Sequence, residues 1–210
     1  MNGQVVQLNR NLIPEIKSRL KAGEVIILPT DTVYALVANG KDIEAVTRLR
    51  QIKAFSSPQP LAVFTRQEKA EEVVVVNQVA LQMMNHFPYP VTMIMRAKST
   101  LSEAVTNKFK NVFVTCPDRF IYDLIMEIPF AIVGAASFAG IQVTNADLAS
   151  KFFGDKVSLI VDGGKSKHGR SRTLVDFTVE VPTIMTYGTV SVDDLRPLIP
   201  QIVLPSHMMK

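Results

Sequence analysis

Apolar residues in this chain come in short runs that alternate between two periods, and polar or Gly/Pro punctuation separates them. Residues 5–8 form a brief extended run. Asn11 is placed to cap a helix whose stripe holds Leu12, Ile16 and Leu20, and Gly23 closes it. An apolar strand over 25–28 ends at Pro29, which has no N–H to give to a sheet ladder. Asp42 then caps a helix carrying Ile43, Val46, Leu49 and Ile52 on one face. Strands are predicted over 61–64, 91–95, 112–115, 131–135, 157–161 and 173–177. Helical spacing covers 68–74, 79–86, 119–126 and 145–153, and a last helix starts at Ser191 and runs toward Pro200. Such alternation predicts an α/β layered fold around a twisted, mixed sheet flanked by helices. A single domain is expected over 1–202, with a short tail over 203–210 that has little to pack against.

The most informative stretch follows strand 25–28. Thr30, Asp31 and Thr32 deliver two hydroxyls and a carboxylate to a strand end, and Tyr34 adds a phenol. Strand ends of α/β sheets are where polar ligands are held. A polar turn whose side chains bond their own backbone accounts for the same residues equally well.

Composition narrows the function class. With 210 residues and 47% apolar content the chain is long enough for one sizeable core. No apolar run reaches membrane-spanning length, no leader pattern opens the chain, and the single Cys116 fits a reducing cytoplasm. Cys116 follows the apolar run 112–114 and reads as a buried small hydrophobe. The formal net charge is +4. Lys165, Lys167, Arg170 and Arg172, with His168 among them and no acid, supply as many positive charges as that whole excess. Gly163 and Gly164 open this segment and allow close backbone approach to an anion, so it is a candidate phosphate or RNA contact. A solvated basic turn is the commoner outcome of such a run. No ligand-spaced set of His, Cys and carboxylates is present, so no metal site is proposed from the sequence.

The stretch Leu28-Pro29-Thr30-Asp31-Thr32-Val33-Tyr34-Ala35-Leu36 resembles the Pro-Thr-Asp-Thr-X-Tyr-Gly-Leu signature of the YrdC/YciO family, the threonylcarbamoyl-adenylate synthases of tRNA modification and their relatives. Further segments resemble the family in order: 87–92 its Pro-Gly-Pro-X-Thr stretch, 159–164 its Asp-Gly-Gly loop, 172–176 its Ser-Thr-Val-Val-Asp strand, and 187–191 its closing segment. The resemblance spans about residues 10–200 and implies a YrdC-like fold. It also implies a reaction joining threonine, bicarbonate and ATP with Mg²⁺, and a ligand cleft using Thr30, Asp31, Thr32, Tyr34, Lys53 and Ser137.

Several family contacts are replaced. Lys53 is kept, but Phe55 stands where the family has an arginine and Gln59 where it has a second lysine. Ala135 and Ser137 replace the serine and asparagine of a later strand end, and Thr115 replaces another arginine. Each lost charge-assisted phosphate contact removes about 1.5–3 kcal/mol. Arg48, Arg50 and Arg66 lie near enough in sequence to compensate. The reading that follows is a YrdC-like protein that binds a nucleotide or structured, double-stranded RNA through an eroded synthase site. One alternative is an active, divergent synthase that uses ATP and Mg²⁺. A second is an interaction module without a ligand.

Overall fold

The computed structural model describes residues 3–136 and 141–205. Ten strands form one mixed sheet in the order β1-β8-β2-β3-β7-β4-β6-β5-β9-β10. In chain order these are β1 (Gln4–Gln7), β2 (Ile26–Leu28), β3 (Ala35–Asn39), β4 (Ala62–Phe64), β5 (Tyr89–Arg96), β6 (Asn111–Cys116), β7 (Ile132–Ala136), β8 (Leu159–Asp162), β9 (Thr173–Asp176) and β10 (Thr183–Thr186). The helices are α1 (Ile13–Lys21), α2 (Ile43–Lys53), α3 (Gln67–Ala70), α4 (Gln78–Met84), α5 (Glu103–Thr106), α6 (Arg119–Glu127), α7 (Ala146–Phe153) and α8 (Val192–Leu195). None of the described helices is long and apolar enough to cross a membrane.

The sheet is mixed, as the alternation predicts. β1, β8 and β2 run parallel, whereas β2, β3, β7 and β4 pair antiparallel. β4 is parallel to β6, and β5 is antiparallel to β6 but parallel to β9. The predicted strands all form, within a residue or two at their ends. β3 and β10 are additional, because neither announces itself as a separate apolar run.

Burial alternates in β5: Val91, Met93 and Met95 are covered, whereas Thr92 and Ile94 are half-buried on the other face. That second face is where the cleft forms. The opposite pattern holds in β2, which is buried along its whole length as an inner strand should be.

Local signals explain the helix starts. Asp42, Asn77, Asp118 and Asn145 each accept a hydrogen bond from the backbone N–H three residues on. Asn9, rather than Asn11, opens the first helical segment by capping a 3₁₀ turn ahead of α1. Ile43 is 60% exposed, and α2 buries Ala45, Val46, Leu49 and Lys53 instead. The last helix stops at Leu195, ahead of Pro197, although Ser191 and Asp194 form a full capping box. Beyond it the chain stays in register: Val203 donates its N–H to Pro182 O at 2.9 Å and accepts from Ile184 N at 3.0 Å.

Candidate functional site: a cleft at the strand ends

Thr30, at the end of β2, organises the turn that follows. Its Oγ1 donates to Val33 O at 2.6 Å, accepts from the Thr32 and Val33 N–H groups, and lies 2.9 Å from Thr32 Oγ1. Both threonines are buried, so these hydroxyls serve the turn's own backbone. Tyr34 is 2% exposed and turns away from the cleft. Its hydroxyl donates to Gly164 O at 2.7 Å and accepts from Gly163 N at 3.0 Å. Burial and the nearby Asp162 push the phenol up to about 12.

The basic segment is therefore docked on the Thr-Asp-Thr turn. Ser166 donates from its N–H to Thr144 O and from Oγ to Thr30 O, and His168 N–H donates to Asp31 O at 2.8 Å. Lys165, Lys167 and Arg170 are exposed along this anchored loop. Arg172 parts from them. Its Nη2 donates to Thr30 Oγ1 at 3.3 Å, its guanidinium lies 5.9 Å from the Phe64 ring centroid, and its Nε is enclosed without a hydrogen-bond partner among the described residues.

Two carboxyls neighbour Arg172. Asp118 Oδ2 accepts from Asp31 N–H at 3.2 Å, while Asp31 Oδ1 is enclosed and unpartnered among the described residues. Burial, and then the Asp118 charge, raises Asp31 to about 7, although Arg172 and Lys167 oppose the shift. Burial raises Asp118 too. His168 Nε2 stands 3.8 Å from Asp31 Oδ2, but burial, with Lys167 and Arg170 beside it, lowers its pKa and favours the neutral ring. Burial lowers the pKa of Arg172, which Asp31 and Asp118 partly offset.

Beside this cluster opens a cleft of about 300 Å³. Lys53, Phe55, Gln59 and Pro60 form its α2–β4 side. Ala62, Thr92, Phe113, Gly134, Ala135 and Leu174 line it from the strands, and Val33, Ser171, Arg172 and Thr186 complete it. Gly134 leaves part of the floor as bare backbone, since a Cβ there would stand 2.5 Å from Leu36 O. Lys53 is buried, its ammonium lies 5.4 Å from the Phe55 ring centroid, and desolvation alone lowers its pKa. Thus Lys53 and Arg172 meet in one cleft, whereas Thr30 touches it only through Arg172 and Tyr34 faces the loop. Ser137 lies outside the described residues, as does the aromatic Phe138.

The three neighbouring arginines are engaged elsewhere. Arg50 donates to the carbonyls of Ala104, Gln59 and Val105 at 2.6, 3.0 and 3.0 Å. Arg66 pairs with Glu68 and stacks 3.7 Å from the Tyr122 ring centroid, and Arg48 donates to Gly23 O. None of the three is among the cleft's described lining residues, although their sequence positions leave compensation open. Thr115 is buried and donates to Val91 O, and burial pushes the Cys116 thiol upward.

Sequence reasoning overlooks Asp118 and the inward course of Arg172. The signals available are a cap position just past strand 112–115 and Pro117 for Asp118, and for Arg172 the match to the first residue of the family's Ser-Thr-Val-Val-Asp strand. Among the described residues, no three His, Cys, Asp or Glu side chains gather for a metal ion.

Comparison with known proteins gives a consistent result. The chain is 26% identical over 204 residues to the threonylcarbamoyl-AMP synthase of Pyrococcus abyssi, covering 92% of this chain but 60% of that protein. The crystal structure of P. abyssi Sua5 complexed with L-threonine superposes with a TM-score of 0.86 at 22% identity, over 96% of this chain and 62% of that one. Escherichia coli YciO superposes with a TM-score of 0.81 at 20% identity, covering 90% of this chain and 98% of its own. Residues 18–188 match the Sua5/YciO/YrdC family model, described as Telomere recombination, and the chain belongs to that family.

Proposed function

We propose that this protein binds a nucleotide in the cleft between the α2–β4 segment and β9, and does not turn over as a threonylcarbamoyl-AMP synthase. The charge of the cleft carries this reading. Among its described lining residues the cations are Lys53 and Arg172, while Phe55 and Gln59 present no charge. A triphosphate undergoing pyrophosphate release needs several cations placed along it. Losing two or three such contacts at about 1.5–3 kcal/mol each slows a reaction by about two to six powers of ten, at ~1.4 kcal/mol per decade.

The described cleft lining contains no carboxylate, so it does not fit a resident Mg²⁺, which enters only as a companion of ATP. The apolar walls at Phe55, Pro60, Phe113 and Leu174 suit the flat body of a base. The names of the relatives favour a nucleotide over other anions, because threonylcarbamoyl-AMP contains one.

The test has two parts. Purified protein with ATP, threonine, bicarbonate and Mg²⁺ releases no pyrophosphate above background, and turnover near ~1 per second would restore the synthase reading. In a thermal-shift assay, a nucleotide at 100 times its Kd stabilises the fold by about 2.7 kcal/mol. No shift with any nucleotide would leave the ligand-free module standing.

A second reading, RNA contact, is favoured by the three exposed cations Lys165, Lys167 and Arg170 on a loop held in place by hydrogen bonds. Each phosphate contact adds about −0.7 to −0.9 to the slope of log K against log salt. Replacing all three with Ala flattens that slope by about two to three for a short RNA duplex. An unchanged slope rules the loop out as an RNA contact.

A further inference from the structure

Arg172 sits at the mouth of β9, where the family pattern has a serine, so a guanidinium takes the place of a hydroxyl. Its backbone is fixed from behind. A Cβ at Gly188 would stand 2.3 Å from Arg172 C, which shows how closely the 187–190 segment presses on it. From this position the side chain reaches the cleft wall.

The guanidinium is under-used. Of its five N–H donors, one goes to Thr30 Oγ1, and Nε has no acceptor among the described residues. Asp31 and Asp118 act on it through space without a direct ion pair among the described residues. Arg172 is only half-buried, but its enclosed Nε without an acceptor is costly unless something completes the guanidinium. Lys53 is in a comparable state on the same cleft. Two cations match the charge of one phosphate monoester, a dianion above its second pKa of about 6. The other residues on the α2–β4 side, Phe55, Gln59 and Pro60, carry no charge to match the further phosphates of a triphosphate.

We propose that Arg172 is the specificity-determining anchor of this cleft and that, with Lys53, it selects a nucleoside monophosphate over a nucleoside triphosphate. The proposal rests on the nucleotide-binding reading above and names the ligand class of the same site. A planar guanidinium can grip two phosphate oxygens at once, which a serine hydroxyl or an ammonium cannot.

Isothermal titration of the full chain with AMP, and with ATP in the presence and absence of Mg²⁺, tests it. The wild type binds AMP at least about tenfold more tightly than ATP, a difference of about 1.4 kcal/mol. Arg172→Ser weakens AMP at least about tenfold and brings the two nucleotides to similar affinity. ATP binding equal to or tighter than AMP in the wild type overturns the inference and leaves the nucleotide reading intact. So does unchanged AMP affinity in Arg172→Ser. If Arg172→Ser does not fold, Arg172→Lys decides: it keeps the charge and loses the fork, so AMP weakens several-fold and ATP does not, whereas unchanged AMP binding refutes the claim. Wild-type protein that binds neither nucleotide overturns both the inference and the reading beneath it.

Discussion

Arg50→Ala separates a structural arginine from a ligand-binding one. Arg50 leaves α2 and donates to three carbonyls, those of Gln59, Ala104 and Val105, so it ties α2 to the cleft wall and to α5. Hydrogen bonds to a charged donor contribute about 1.5–3 kcal/mol each. Three of them give a gross value of about 5–9 kcal/mol. Two terms reduce it. The guanidinium is partly desolvated, which lowers its pKa, and Val105 O keeps a second donor in Leu61 N. A net loss of about 3–4 kcal/mol is expected for a half-buried guanidinium that leaves carbonyls unpaired. For a chain of this size that is a fall in Tm of about 6–16 °C. Arg50→Lys, which can keep one contact in place of three, should lose about half as much. Urea denaturation with the m-value compared between variants is the assay. Arg50→Ala within about 1 kcal/mol of wild type at unchanged m would refute the reasoning, and weakened nucleotide binding in that stable variant would return Arg50 to the cleft.

Three further outcomes follow from the site. Asp31 titrates near 7 in the fold against about 3.9 when unfolded, so folding disfavours its ionised form and wild-type stability declines as pH rises from about 4 to about 7. Asp31→Asn removes that decline and should gain about 2–4 kcal/mol on wild type by pH 8; a difference constant from pH 4 to 8 contradicts the assignment. Tyr34→Phe removes the bonds to Gly164 O and Gly163 N, costing about 1–3 kcal/mol and speeding amide exchange at Ser166 and His168, and unaltered exchange there would show that Tyr34 does not hold the loop. Gly188→Ala places a methyl 2.3 Å from Arg172 C and Ser171 O, both backbone atoms, and should cost more than about 3 kcal/mol; a Tm within about 2 °C of wild type would mean that the 187–190 segment yields freely.

The layered fold is legible because runs such as 25–28 and 112–115 carry enough apolar residues to be strands in any context. β3 is harder to read. It begins at Ala35, inside the motif, and its residues 35–38 are all buried, with no period-two alternation. The site divides in the same way. Lys53 is readable as a cleft cation through the resemblance, which keeps a lysine where the family has one. Arg172 is not, because in the sequence it continues a run of exposed cations, and its inward course depends on pairing between β9 and β5 and on the pressure of Gly188. Arg48, Arg50 and Arg66 illustrate the converse: proximity in sequence says nothing about which carbonyls or carboxylates claim their donors. The hydroxyls of Thr30 and Thr32 are open to two descriptions, and the local turn accounts for their bonds apart from the one that Thr30 accepts from Arg172.

The docked loop has a consequence for how such a protein can diverge. Gly164, Ser166 and His168 are fastened to Tyr34, Thr144, Thr30 and Asp31, while Lys165 and Lys167 between them face solvent. Anchoring and display thus fall on alternate residues of one short stretch. The outward positions can change charge, size or polarity without shifting the backbone that is fastened to the Thr-Asp-Thr turn. Substitutions at the inward positions would disturb the turn, and through Thr30 the Arg172 side chain that lines the cleft. A lineage can therefore retune what this face meets while its pocket chemistry stays fixed, and the two properties can be selected independently although they share fewer than ten consecutive residues.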